Sequence, residues 1–350
     1  MPLSVVIAPD SFKGTLPADE VAAAIAEGWR RERPDDELRL LPQADGGEGT
    51  LDAIAAALPA AVLHTLTDVT GPDGRSVTAQ WLELPDGRAV VELASSSGLP
   101  LMAELDAMGA TSRGLGEVIA AALDAGATGL LVGLGGSAST DGGLGALEAL
   151  GLRIVNGALD TSALRAVPAG GVVLLSDVTA PLLGPTGAAA VFGPQKGADA
   201  AQITALDARL AGLVPVFGGD PEAPGAGAAG GTGYGLAAVW GATYASGADY
   251  LATLTGLDAA LATADVLVTG EGSFDSQSLG GKVVGQQLAK ARGRSVVIAG
   301  RTSAAAPDLA FSLTELAGSS ATAMSDTAHW VREAAALAAA HPTFHSAETL

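Results

Sequence analysis

Asp45 and Glu48 stand on either side of two adjacent glycines in LPQADGGEGT (residues 41–50), where the apolar run ELRLL (37–41) ends. Only 16% of this chain is Asp, Glu, Lys or Arg, so two acids on so pliable a backbone invite a chemical reading. The mixture recurs. APDSFKGT carries Ser11 and Lys13, and VTGEGSFDSQSLGGK carries Glu271, Asp275 and Lys282. LGGSASTDGG carries Gly135, Gly136 and Ser137; SDVTAPLLGPTGAAAVFGPQKGA carries Asp177 and Lys196; PGAGAAGGTGYG carries Gly225, Gly227 and Gly230. Glycine lets a backbone approach a phosphate closely, and N–H groups at helix starts attract anions. Carboxylates on the same loops can hold a Mg²⁺ that bridges phosphate oxygens. Together these residue types point to phosphoryl transfer. Each alone has an ordinary explanation as a tight turn, a helix cap or a surface lysine, and their concentration in a few loops carries the reading.

Elements must position those loops. SVVIA (4–8) is a continuous β-branched run, expected as a strand covered on both faces, and ELRLL reads as a second buried strand. Val21, Ile25 and Trp29 predict a helix over 16–33 with Thr15 as N-cap; Leu51, Ile54, Ala55 and Leu58 predict another just after the quoted stretch. This alternation implies parallel pairing with right-handed crossovers. From about residue 62 the rhythm turns antiparallel through AVLHTLTDVT, SVTAQWLEL and RAVVELAS, with Pro85-Asp86-Gly87 as a hairpin turn. Helices are expected near 113–126, after Gly143, over 199–213 and starting at the glycine-rich 224–235, with strands at TGLLVGL and GGVVLLS. The α/β rhythm returns near 264 with strand ADVLVTG, a helix over 282–292, strands SVVIAG and FSLTEL, and a helix over 326–340.

The expected fold class is therefore α/β. A flavodoxin-like or Rossmann-like parallel-sheet domain, residues 1–62 plus 263–350, is interrupted by an inserted α/β domain with a mixed sheet, residues 63–262. Ligands of an open parallel sheet bind beyond the carboxyl ends of its strands, which is where the clusters fall.

Composition narrows the function classes. With 350 residues, 48% of them hydrophobic, the chain can bury a large core. Its 38 acidic against 18 basic residues, a formal charge of -20, repel nucleic acid and anionic membrane. The absence of cysteine excludes disulfides and Cys-ligated zinc or iron–sulfur centres. MPLSVVIAPDSFKGT turns polar too soon for a signal peptide, and apolar runs such as TGLLVGL fall short of the ~20 residues that span a bilayer. A cytoplasmic protein with a small-molecule substrate, monomer or homodimer, is expected. GAGAAG (225–230) matches a dinucleotide fingerprint without a preceding strand, and GLGGSA (133–138) matches one without the acid such a fold uses for ribose. Gly280-Gly281-Lys282 is followed by Val283 and does not form a P-loop. His64, His329, His341 and His345 have no spaced partner, and Ser137 and Ser139 lack a hydrolase elbow.

Read in order, APDSFKGT, ADGGEGT, ELASSSGL, TSRGLGEVI, GLGGSASTDGG, SDVTAPLLGPTGAAAVFGPQKGA, PGAGAAGG and VTGEGSFDSQSLGGK resemble the bacterial glycerate kinase family of type I, the glycerate 2-kinases. The resemblance runs from residue 8 to about 282 and implies ATP-dependent phosphorylation of D-glycerate, usually at the 2-hydroxyl, with Mg²⁺, in a cleft between the two domains. Under it Asp45 is the expected base or hydroxyl-orienting residue, with Asp177 as rival and Lys13 beside them as a catalytic cation. Ser11, Glu48, Lys196 and Ser137 are expected to bind substrate; Gly135, Gly136, Gly225, Gly227, Gly230 and Lys282 to bind nucleotide; Glu271 and Asp275 to hold the metal across a glycine-rich bend. Glu48 is also expected to favour the positive end of the following helix. Two positions depart from the family pattern: Ala180, often Asn, and Ser273, Arg in many relatives, with Thr179 or Arg301 as substitutes for the lost donors. GLGGSAS also loosely resembles the GLGSSA loop of the GHMP kinases, and a nucleotide or metabolite sensor on the same fold is the non-enzymatic alternative.

Overall fold

Val5, Val6 and Ile7 are at most 2% exposed and lie in β1 (Ser4–Ile7), the strand that the β-branched run predicts. In chain order it is followed by β2 (Glu37–Leu40), β3 (Val62–Thr70), β4 (Ser76–Glu83), β5 (Ala89–Glu92) and β6 (Leu130–Gly133). Then come β7 (Arg153–Val155), β8 (Ala158–Asp160), β9 (Val172–Leu175), β10 (Thr243–Ala245), β11 (Val266–Phe274), β12 (Arg294–Thr302) and β13 (Leu309–Ser312). This computed structural model describes residues 1–279, 283–303 and 308–344; Lys282 and His345 lie outside them.

The chain divides into two compact units. One draws on Met1–Ala44, Asp52–Pro59 and the chain from Ala248 onward; the other comprises Asp45–Leu51 and Ala60–Gly247. The first unit holds an all-parallel sheet in the order β13-β12-β11-β1-β2. Counted within that unit the order is 5-4-3-1-2, the flavodoxin-like doubly wound arrangement, whose strand order reverses between β1 and β11. Helices Ala18–Glu32 and Thr327–Ala339 cover one face, closing Ile25, Trp29, Val331 and Ala335 over the strands.

The second unit holds a mixed sheet, β10-β9-β6-β5-β4-β3, parallel from β10 to β5 and antiparallel through β4 and β3. Its core packs Leu115, Val118 and Ile119 of the Arg113–Asp124 helix against strand residues such as Val91, Val132 and Leu174. A small hairpin, β7–β8, turns at Asn156 and Gly157, both at positive φ (54° and 78°), as a two-residue Asn-Gly turn requires.

Local expectations need correction at five places. ELRLL does not yield a buried strand: β2 is a sheet edge and exposes Glu37 and Arg39. Thr15 does not cap the first helix. It donates to the Phe12 carbonyl at 2.8 Å, and Pro17 precedes the helix without a side-chain cap. The helix expected over 199–213 runs Ala200–Phe217. Its start is fixed by a reciprocal pair, Gln202 N to Asp199 Oδ1 at 2.8 Å and Asp199 N to Gln202 Oε1 at 2.9 Å, and Pro215 near its end costs only one interior bond. This is the one described helix long and apolar enough to cross a membrane; here Asp207 accepts from Gly184 N and Arg209 donates to the Met108 carbonyl within its own unit. FSLTEL is strand only to Ser312, whose hydroxyl accepts from Glu315 N and starts the Leu313–Ala317 helix. Finally, β11 continues as strand to Phe274, pairing Glu271 with Ala299 and Ser273 with Arg301 where a glycine-rich bend is expected.

Candidate active site

In the second unit the carboxyl ends of the four parallel strands carry Glu92, Gly135, Asp177 and Gly247, and the loop 45–51 belongs to this unit. Asp45 is half-buried and folds back on its own loop, its Oδ1 accepting from Gly47 N at 3.0 Å. Gly135 N donates to the Gly46 carbonyl at 3.0 Å, and a Cβ on Gly135 would overlap Gly47. Glycine is thus needed here to bring two backbones together, whatever else the loop binds. At the end of β10, a Cβ on Gly247 would overlap the Asp45 carbonyl, while Gly247 N donates to Asp177 Oδ1 at 3.1 Å. The two candidate bases therefore meet on one residue, Asp45 through its backbone and Asp177 through its carboxylate.

Glu48 is exposed, and the groups at the start of the Thr50–Ala57 helix are held by another acid. Glu92, 5% exposed, accepts from Gly49 N at 3.3 Å and Leu51 N at 3.2 Å. The N–H groups at this helix start are thus held by the buried Glu92 carboxylate. Sequence reasoning gives Glu92 no role; its signals are its place at the close of the apolar strand AVVE and at the head of the ELASSSGL motif.

Ser137 is buried, and its hydroxyl accepts from Ser139 N at 3.2 Å, shaping the loop after β6 at Gly136, whose φ is 74°. Asp141, also passed over, is 3% exposed and accepts from Ser112 N and Oγ, Gly143 N and Gly145 N at 2.8–3.2 Å. It ties the starts of the Arg113–Asp124 and Leu144–Ala149 helices to one carboxylate. Lys196 is 2% exposed; its amine donates to the Ser139 carbonyl and lies 3.4 Å from Thr140 Oγ1. Burial pulls its pKa down to about 8, against a partial opposing pull from Asp141. The glycine-rich 225–230 run packs against the same loop and its neighbour: Gly227 N donates to the Ala180 carbonyl at 2.9 Å and Gly142 N to the Gly230 carbonyl at 3.0 Å. Gly225 stands beside the Tyr244 ring. These glycines, Lys196 and Ser137 form one interlocked bed.

One consequence is measurable. The Lys196 amine binds fewer protons in the folded than in the unfolded chain between pH 8 and its ordinary value of 10.5. Folding stability attributable to it therefore rises with pH across that window. Wild type should gain on Lys196→Met by on the order of 2 kcal/mol between pH 8 and 10.5, read from urea midpoints. A gap independent of pH would mean that the amine is not desolvated.

In the first unit, β1 and β11 flank the point where strand order reverses. Asp10 N donates to the Gly270 carbonyl at 2.9 Å, and Ser11 N to Asp10 Oδ1 at 2.6 Å. Lys13 is exposed, and its backbone N lies 3.9 Å from where a Cβ on Gly272 would stand. Ser11, Lys13 and the strand bearing Glu271 thus come together. Asp275 Oδ1 accepts from Gln277 N at 2.8 Å and Ser278 N at 3.3 Å, starting the short Ser276–Leu279 helix. β11 stays extended from Glu271 to Phe274, and Asp275 stands at the bend beyond it. Among the described residues no three His, Cys, Asp or Glu side chains gather as a metal site. Gln43, 1% exposed, anchors the turn before the loop by donating to the Leu41 and Pro42 carbonyls and to Thr255 Oγ1 at 2.9–3.0 Å.

Known proteins align along almost all of this framework. The profile of the glycerate kinase family matches residues 5–341. A Mycobacterium bovis protein of uncharacterised function is 44% identical over 347 residues, covering 93% of this chain and 88% of its own. The glycerate 2-kinase of Escherichia coli K12 is 41% identical over 308 residues, 80% of each chain. A crystal structure from Salmonella typhimurium LT2 described as a glycerate kinase 2 superimposes with a TM-score of 0.82 at 37% identity, covering 97% of this chain and 98% of that one.

Proposed function

The chain belongs to the glycerate kinase family, and on that footing we propose that it transfers the γ-phosphoryl group of ATP to the 2-hydroxyl of D-glycerate, giving 2-phosphoglycerate and ADP in the cytoplasm. That it is a glycerate kinase follows from the family; the observation that supports the 2-hydroxyl is the 41% identity to a glycerate 2-kinase across 80% of both chains. In the reaction the glycerate O2 bonds to the γ-phosphorus as the bond to the β,γ-bridging oxygen breaks, and that oxygen leaves on ADP with the electron pair. Asp45 Oδ2 takes the hydroxyl proton, since Oδ1 is engaged by Gly47 N. Asp177 orients the same hydroxyl. Glu48, Ser11 and Ser137 contribute polar contacts to substrate, and Lys13 offsets phosphate charge.

Lys196 acts through the loop it holds at Ser139 and Thr140. Gly135, Gly136, Gly225, Gly227 and Gly230 keep the surrounding backbone close enough for its N–H groups to face phosphate. Mg²⁺ of the kinase kind is bound by one or two carboxylates together with phosphate oxygens, and the hard oxygen donors of this chain suit it. Glu271 would hold it, with Asp275 adding only Oδ2. When bound it would neutralise phosphate charge.

A coupled assay of ADP release tests the reading. Turnover is expected with D-glycerate and Mg²⁺ATP and little with other hydroxy acids, and phosphorus NMR of the product should show the 2-phosphate. Tight ATP binding without turnover would favour a sensor, and a preference for a sugar or mevalonate-like alcohol would defeat the substrate assignment.

A further inference from the structure

In a chain with 38 acids and 18 bases, nine of the described Lys and Arg side chains meet a carboxylate within 4 Å, and others, Arg30, Arg39 and Arg292 among them, do not. Lys290 meets two, Asp249 at 2.8 Å and Asp258 at 3.1 Å. Lys13 and Arg301, both on the carboxyl edge of the five-stranded sheet, meet none within 4 Å among the described residues. Arg301 is exposed yet not loose. It lies directly across the β11–β12 ladder from Ser273, and its Nε donates to Ser273 Oγ at 3.2 Å. That bond fixes the guanidinium by one donor, and the Nη groups carry no partner among the described residues. Ser273 itself lies on β11 between Glu271, on the same strand, and Asp275, just past the strand's end.

A planar fork that is always charged matches the paired oxygens of phosphate or carboxylate better than an ammonium does. Ordering such a side chain before the ligand arrives removes part of the entropy cost of binding. We propose that Arg301, oriented by Ser273, is an oxyanion-binding residue of this enzyme, taking either nucleotide phosphate oxygens or the glycerate carboxylate. The assignment rests on the glycerate kinase function stated above.

Calorimetric titration of the full chain separates the two sources. Wild type and Arg301→Gln are titrated with AMP-PNP plus Mg²⁺ and, separately, with D-glycerate. One dissociation constant is expected to rise about tenfold or more, the loss typical of a charged hydrogen-bond donor, while the other changes little; the ligand that weakens names the oxyanion. Arg301→Lys should recover part of the loss, since it keeps the charge and not the fork. Ser273→Ala should weaken the same ligand by a smaller factor, about threefold, and add little to Arg301→Gln because both act on one contact. Unchanged affinity for both ligands in Arg301→Gln overturns the proposal. So does uniform weakening accompanied by a lower melting temperature, or a Ser273→Ala loss that falls on the other ligand. Failure of the wild type to phosphorylate D-glycerate would count against the function proposed above, whereas equal binding by an active wild type and Arg301→Gln counts against this site alone.

Discussion

Asp45→Asn should lower kcat by about 10² or more, the loss expected when a base or orienting carboxylate goes, while the melting temperature hardly moves. The reason is local. Asp45 Oδ1 accepts from Gly47 N at 3.0 Å, and the asparagine oxygen can keep that bond and with it the turn. The amide nitrogen then replaces Oδ2, the atom free to take the glycerate proton, and an amide nitrogen donates where the reaction needs an acceptor. Asp177→Asn is the matching measurement. Its Oδ1 holds Gly247 N, a bond an amide oxygen can also make, so its kcat reports the chemistry of the second carboxylate without collapsing the strand end. Near wild-type turnover in Asp45→Asn with a large loss in Asp177→Asn would transfer the base role to Asp177. A large fall in melting temperature in Asp45→Asn would mark Asp45 as structural.

The features legible in the sequence were those with a local or periodic signature. SVVIA, ADVLVTG and SVVIAG are apolar runs ended by glycine-containing loops, and they became the central parallel strands β1, β11 and β12. The position of β2 at the sheet edge was not legible, because the absence of a further neighbour is a property of the assembled sheet. Nor was β10, three residues with no period to detect. The loops rich in acids and glycines could be found, but not which acid does what. Glu92 interrupts an apolar run once, and nothing in its own neighbourhood says that Gly49 and Leu51, more than forty positions earlier, will turn their N–H groups to it. Lys196 looks like any lysine in a glycine-rich stretch; its burial is decided by the 137–141 loop closing over it. The continuation of β11 through Gly270 and Gly272 is likewise set by its partner β12, whose ladder overrides the flexibility of the glycines.

Gly247→Ala is expected to be the most damaging change of a residue that itself performs no chemistry. It lies about seventy positions from Asp177 and two hundred from Asp45, yet its N–H holds the Asp177 carboxylate and its Cα hydrogens face the Asp45 carbonyl. A methyl group there overlaps that carbonyl, and the obstacle is backbone, so no rotamer change relieves it. The loop must shift, or Gly247 must. Either movement separates the two carboxylates from the geometry in which they share a substrate, and displacement of a reacting group by about 1 Å can cost 10² in rate. Overpacking at a well-packed site costs about 1–3 kcal/mol in stability, so the protein should still fold. Expected results are a fall in kcat of tenfold or more, a modest loss of melting temperature, and little change in ATP affinity, because the atoms nearest the added methyl belong to Asp45 and Gly46. Gly247→Ser should behave alike, since the conflict is with Cβ. An alanine variant with unaltered kcat would show that the position of the Asp45 backbone is immaterial to turnover, and the base assignment would then have to move away from the 45–47 loop altogether.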